Sequence, residues 1–151
     1  MELIKSIIFM FVFSFLIQYF LMSLIMANNS SNIRNSLGKF YLSLIMGLFM
    51  ALVEIMMHDT HHKHISYKYY IVVGTLLGIF IYFYRNQYLV NDNNYLREMI
   101  EHHSMALLTS EEIIKKTNNN NIKELANNIN STQKNEIDLM NKLINEDITM
   151  T

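Results

Sequence analysis

Three long apolar runs fill the first 84 positions of the chain, and from about Asp92 an amphipathic period replaces them. The first run extends from Ile4 or Ile7 to about Met26, broken beyond Ile7 only by Ser14, Gln18 and Ser23. The second covers 40–57, with Gly47 in its middle and Glu54 near its end. The third covers 67–84 and has aromatic ends, Tyr67, Tyr69 and Tyr70 at one side and Tyr82, Phe83 and Tyr84 at the other. A helix of about 20 apolar residues crosses the hydrocarbon of a bilayer, and aromatic ends suit its interfaces. Each run is therefore expected to be a transmembrane helix. A secretory signal peptide is the rival for the first run, because Lys5 precedes it. Such apolar regions are shorter, however, and Met26-Ala27-Asn28-Asn29 offers no small-x-small cleavage pattern. Gly74 and Gly78, four apart, either form a small-xxx-small helix contact or fall together by chance.

Beyond Asp92, Leu96, Met99, Ile100, His103, Leu107 and Ile114 recur at helical spacing. Asn118 to Asn121 break the pattern; asparagine tolerates left-handed backbone and competes for main-chain hydrogen bonds, so a turn is expected there. The period resumes with Ile122, Leu125, Ala126, Ile129, Gln133, Ile137, Met140, Leu143 and Ile144. Two helices joined by a short loop pack antiparallel. With the turn centred between Asn119 and Asn120, Met99 faces Met140 and His103 faces Glu136, with Gln133 one turn away. The fold expected is all-α: a membrane domain over 1–85 carrying three transmembrane helices, then a helical hairpin over 86–151.

Composition narrows the chemistry. The chain lacks cysteine and proline, which excludes disulfides, zinc-thiolate sites and thiol catalysis, and favours uninterrupted helix. A net charge of -1 and the absence of a basic stripe argue against nucleic-acid binding. Membrane orientation is balanced: Lys5, Lys63 and Lys68 lie on one side, Arg34, Lys39 and Arg85 on the other. Three spans put the two ends on opposite sides, and the expectation adopted is an internal amino terminus with an external hairpin. No Ser/His/Asp arrangement or phosphate-cradling loop is recognisable, and only Glu136 and Asp147 are expected to face the hairpin seam. Di-iron bundles draw in several carboxylates, so the expectation is a protein that is not an enzyme.

All six histidines fall in two clusters. The second lies in Met99-Ile100-Glu101-His102-His103-Ser104-Met105, where imidazole and thioether adjoin; these donors favour copper, thioether especially its reduced form. His103 belongs to the apolar stripe, whereas His102 lies about 100° round the helix. Buried polar groups need partners, and two readings follow. His103 and Glu136 satisfy each other as a packing pair, or His103 holds a metal that Glu136 also ligates or helps to orient. The first cluster, His58, His61, His62 and His64, lies between the second and third spans. On a continued helix Glu54, His58, His61 and His62 share a face, spaced to grip a metal; a solvated histidine-rich loop is the plainer reading. Glu54 itself is expected to be interfacial or paired to His58.

The stretch Asp92 to Ala106, DNNYLREMIEHHSMA, resembles the signature of domain-of-unknown-function family 305, with its aromatic-Leu pair and Met-Ile-x-His-His-x-x-Ala. Leu125-Ala126-x-x-Ile129 with Gln133, Glu136-Ile137 and Met140 is similar to that family's second signature. The front half looks like a membrane-anchored branch with three preceding spans, the second opening with a segment like Asn35 to Tyr41. The resemblance implies a ferritin-like half-bundle and, in some members, copper binding. Carried over, it marks Met99, His102, His103, Gln133, Glu136 and Met140. Glu101 stands where the family commonly has proline, and one His-His unit stands where many soluble members have two. A single hairpin is half of a four-helix bundle, so a homo-oligomer, or docking on the spans, would cover its remaining apolar face. The function expected is copper sequestration or delivery by a membrane protein, with membrane assembly as the alternative.

Overall fold

The computed structural model describes residues 3–150, with side chains as far as 146. It is all-helical, with five long helices and no strand among the described residues. They are α1 (Leu3–Met26), α2 (Leu37–His62), α3 (Tyr67–Arg85), α4 (Asp92–Lys116) and α5 (Asn120–Met150). The first three are long and apolar enough to cross a membrane. The chain forms two compact units, one of residues 1–22 with 37–89, the other of 23–36 with 90–151.

In the first unit α2 is central: a third of its apolar window is buried, against almost none of α1 or α3. Ile55, with no exposed surface, and Ala51 and Leu48 pack with Ile7 of α1 and Val73 of α3. The outward faces carry Phe9, Phe13, Ile71 and Val72, all exposed, as suits surfaces whose solvent is lipid. The close helix approach is at Gly47, where an added Cβ would lie 2.9 Å from the Phe11 carbonyl oxygen. Nothing lies within 4 Å of such an atom at Gly74 or Gly78. Of these three glycines Gly47 makes the helix contact, and the Gly74–Gly78 pair makes none within the chain. Glu54 accepts a hydrogen bond from Ser6 of α1. Antiparallel packing brings the start of α1 beside the end of α2, so the carboxylate finds its partner on the neighbouring helix.

α1 is not uniform; residues Ile17–Leu21 form a π-helical turn before the last α turn, Met22–Met26. α2 continues five residues past the expected end at Met57, so its final turns carry His58, His61 and His62. It stops at Lys63, whose φ of 51° is left-handed, and the His64 amide donates to the Asp59 carbonyl at 3.3 Å. This is the terminal hydrogen bond of a Schellman cap, made without glycine. The Asp59 carboxylate, 8% exposed, then accepts from the Ser66 amide at 2.8 Å and its hydroxyl at 2.7 Å. The short link to α3 is thereby fixed from the helix that precedes it.

In the second unit α4 and α5 form the expected antiparallel hairpin. Asn91 caps α4 by accepting from the Asn94 amide at 2.9 Å. α4 ends at Lys116 with Thr117 extended, and Asn119 then caps α5 by accepting from Asn121 at 3.0 Å. Lys115 and Lys116 occupy the last turn of α4, where positive charge complements the helix dipole.

Candidate functional site

The α4–α5 seam is an apolar core of Ile100, Leu107, Ile137, Met140 and Ile144, with Leu96 and Met99 packed against it. His103 follows Met99 by one turn of α4. Its Nδ1 lies 3.3 Å from Glu136 Oε2, with the imidazole 18% and the carboxylate 46% exposed. The facing register expected from the asparagine turn is the one observed. This approach is not a hydrogen bond, however: among the described residues, buried His103 Nδ1 has no hydrogen-bond partner. The two groups are near enough to attract but are not aligned to share a proton.

The seam thus gathers Met99, His103, Glu136 and Met140, with Gln133 half-buried on α5. His102 is exposed and turned away from it. Among the described residues, no three His, Asp or Glu side chains are placed to hold a metal ion. Any metal held here would therefore depend on thioether donors beside the imidazole. Asp147 has its side chain outside the described residues. His58, His61, His62 and His64 belong to the other compact unit.

Two acidic residues on α4 have roles that periodicity did not reveal. Glu101 accepts from the Ser23 hydroxyl, and its other oxygen accepts from the Arg34 amide at 3.0 Å. One turn on, fully buried Ser104 accepts from the Asn28 amide at 3.0 Å and donates to Asn28 Oδ1 at 2.7 Å. Arg34 Nη2 donates to Asn141 Oδ1 of α5 at 2.9 Å. The connector 27–36 is thus clamped to the hairpin, which explains why 23–36 belongs to that unit. Glu101 leaves α4 unbroken and supplies the clamp's carboxylate.

Glu98 is the second. It is 7% exposed, and among the described residues its Oε2 has no hydrogen-bond partner. Burial pushes its carboxyl above the ordinary 4.5; His102 pulls it back and Glu101 pushes it further up. A raised folded-state pKa means that ionised Glu98 opposes folding. The penalty is full above the folded pKa and fades as pH falls towards the ordinary value. Glu98→Gln is expected to stabilise the hairpin at neutral pH by about 1–2 kcal/mol, the scale of an unsatisfied buried group. The gain should vanish near pH 4.5, as read from denaturation of the full chain in detergent across that range.

Residues 91–149 match the family described as Domain of unknown function (DUF305). The chain is also 36% identical over 143 residues to Uncharacterized protein L153 of Acanthamoeba polyphaga mimivirus, covering 94% of this chain and 93% of that protein. It belongs to the same family as that viral protein and carries a DUF305 domain as its C-terminal part. No solved structure matches the chain.

Proposed function

We propose that this is a small integral membrane protein whose hairpin binds a soft metal ion, copper by the chemistry of its donors, to sequester or deliver it. The observation that carries the reading is the buried His103 Nδ1, without a hydrogen-bond partner among the described residues and one turn from the Met99 thioether. Met140 shares that seam, so nitrogen and sulfur donors border one dry core. Such a donor set suits reduced copper better than hard cations. Met99, His103 and Met140 would hold the ion, Glu136 would ligate or orient His103, and Gln133 would support it; His102, exposed on the adjoining face, would join only with a further element closing over the site. The ion is cargo, and the function is not catalytic.

Three spans put the connector 27–36 and the hairpin on one side of the membrane. The clamp that joins those segments is in keeping with that count, and we assign that side as external. A second reading is favoured by a different observation. Ile122, Leu125, Ile129, Leu139 and Leu143 form an exposed apolar stripe along α5, beside the buried one. Two hairpins paired through these stripes would complete a ferritin-like four-helix bundle, with His103 and Glu136 fixing its register.

The test is titration of the full chain in detergent micelles with Cu(I) against a competing chelator, with protein mass measured in the same sample. Saturable copper retention is expected, and His103→Ala should abolish it. Undiminished retention in that variant would sink the site assignment. No retention by the parent, together with a dimeric mass, would move the function to assembly.

A further inference from the structure

We propose that His58 and His62 form a separate metal site, a two-imidazole chelate for a divalent transition-metal ion at the end of α2. The pair is spaced four residues apart, so both rings rise from one helix face. The rings stack face to face, centroids 4.1 Å apart and planes 20° from parallel. Two nitrogens bound to one ion at ordinary lengths sit about 3–4 Å from each other. The helix thus holds the two rings in contact, and a turn of the ring planes towards each other is what an ion between them requires.

The tautomers follow from hydrogen-bond chemistry. His62 Nδ1 is 3.0 Å from the His58 carbonyl oxygen. A carbonyl only accepts, so Nδ1 carries the proton and Nε2 keeps its lone pair. His58 Nδ1 lies 3.4 Å from the Asp59 carboxylate, which selects the same tautomer. That carboxylate is itself held by Ser66. Each ring is therefore anchored through Nδ1 to a carboxylate or carbonyl, the arrangement that orients histidine ligands in metal sites. Both Nε2 atoms are left with the lone pair a cation needs.

Position and donor type define the ion. α2 has 26 residues, about 39 Å of helix, against about 30 Å of hydrocarbon, so its last turns stand beyond the apolar layer. Two neutral imidazoles with water in the remaining positions suit nickel, copper(II) or zinc rather than a soft monovalent ion. His61 meets the His62 ring edge-on at 5.1 Å and does not join the parallel pair. His64 lies past the helix end.

Ni2+ separates this site from the hairpin, since thioethers are poor ligands for it. Calorimetric titration of the full chain in detergent micelles should show saturable uptake. His58→Ala and His62→Ala should each weaken it at least about tenfold, whereas His61→Ala, His64→Ala and His103→Ala stay within about twofold. Far-UV circular dichroism should show unchanged helicity in the His58, His61, His62 and His64 variants, as these side chains lie at or just past the end of α2. Equal small losses across all four histidines of the cluster would show diffuse capture and overturn the proposal. So would a loss confined to His103→Ala, or no saturable uptake at all.

Discussion

Replacing Ile100 by alanine is expected to cost the hairpin about 2–5 kcal/mol, the range for emptying a fully buried aliphatic site. Ile100 has no exposed surface and lies in the seam with Leu107, Ile137, Met140 and Ile144. The hairpin's other apolar side chains, Leu125 and Leu139 among them, are exposed, so the seam is the main apolar area that the hairpin buries. Its closure cannot be shared out to another layer of that unit. The measurement is denaturant unfolding of the full chain in detergent, followed by hydrogen exchange at α4 and α5 amides. A loss below about 1 kcal/mol would mean that the seam repacks around the missing atoms, contrary to the close packing of protein interiors. Copper retention should weaken with it, because Met99 and Met140 pack in the same cluster.

Glu101→Ala is expected to cost about 2–3 kcal/mol, because charge-assisted hydrogen bonds to two partners are lost together. The Ser23 hydroxyl and the Arg34 amide both lose their acceptor. Glu101→Gln keeps an acceptor oxygen and should cost less. The sensitive readout is trypsin cleavage after Arg34, which requires the connector to leave its place on α4. Cleavage should rise about tenfold or more in Glu101→Ala, following the population of the opened connector. Unchanged cleavage would show that Ser104 with Asn28, and Arg34 with Asn141, hold the connector without the carboxylate.

The helices and the hairpin register were legible in the sequence because both rest on repetition. Apolar residues at helical spacing report which face is buried, and four asparagines mark where the direction reverses. Together they place His103 opposite Glu136 before any coordinates are known. The clamp was not legible, since Ser23, Asn28, Arg34, Glu101 and Ser104 are ordinary polar residues in no periodic relation. Only the folded chain brings 28 beside 104. Glu98 was hidden for a related reason: its helical phase puts it away from the seam, where solvent is the usual neighbour. The glycines show the limit of motif reading. Gly74 and Gly78 have the pattern, but Gly47, without a pattern, has the neighbouring backbone. Among the candidate ligands, the seam set was foreseeable from spacing. The tautomers of His58 and His62 were not, because they depend on where a carboxylate and a carbonyl come to lie.

The π-helical turn at Ile17–Leu21 has a consequence for how one helix serves two compact units. A π turn takes in one residue more than an α turn, so the stretch after it is out of angular step with the stretch before it. Upstream, Ile7 meets the α2 core; downstream, Ser23 donates to Glu101. A chain one residue shorter within that turn would keep α-helical step throughout, and Ser23 would lie about 100° round the helix axis from its present phase relative to Ile7. The extra residue is thus a phase adjuster: it lets the apolar face of the first span and the polar anchor at its end be set independently of each other.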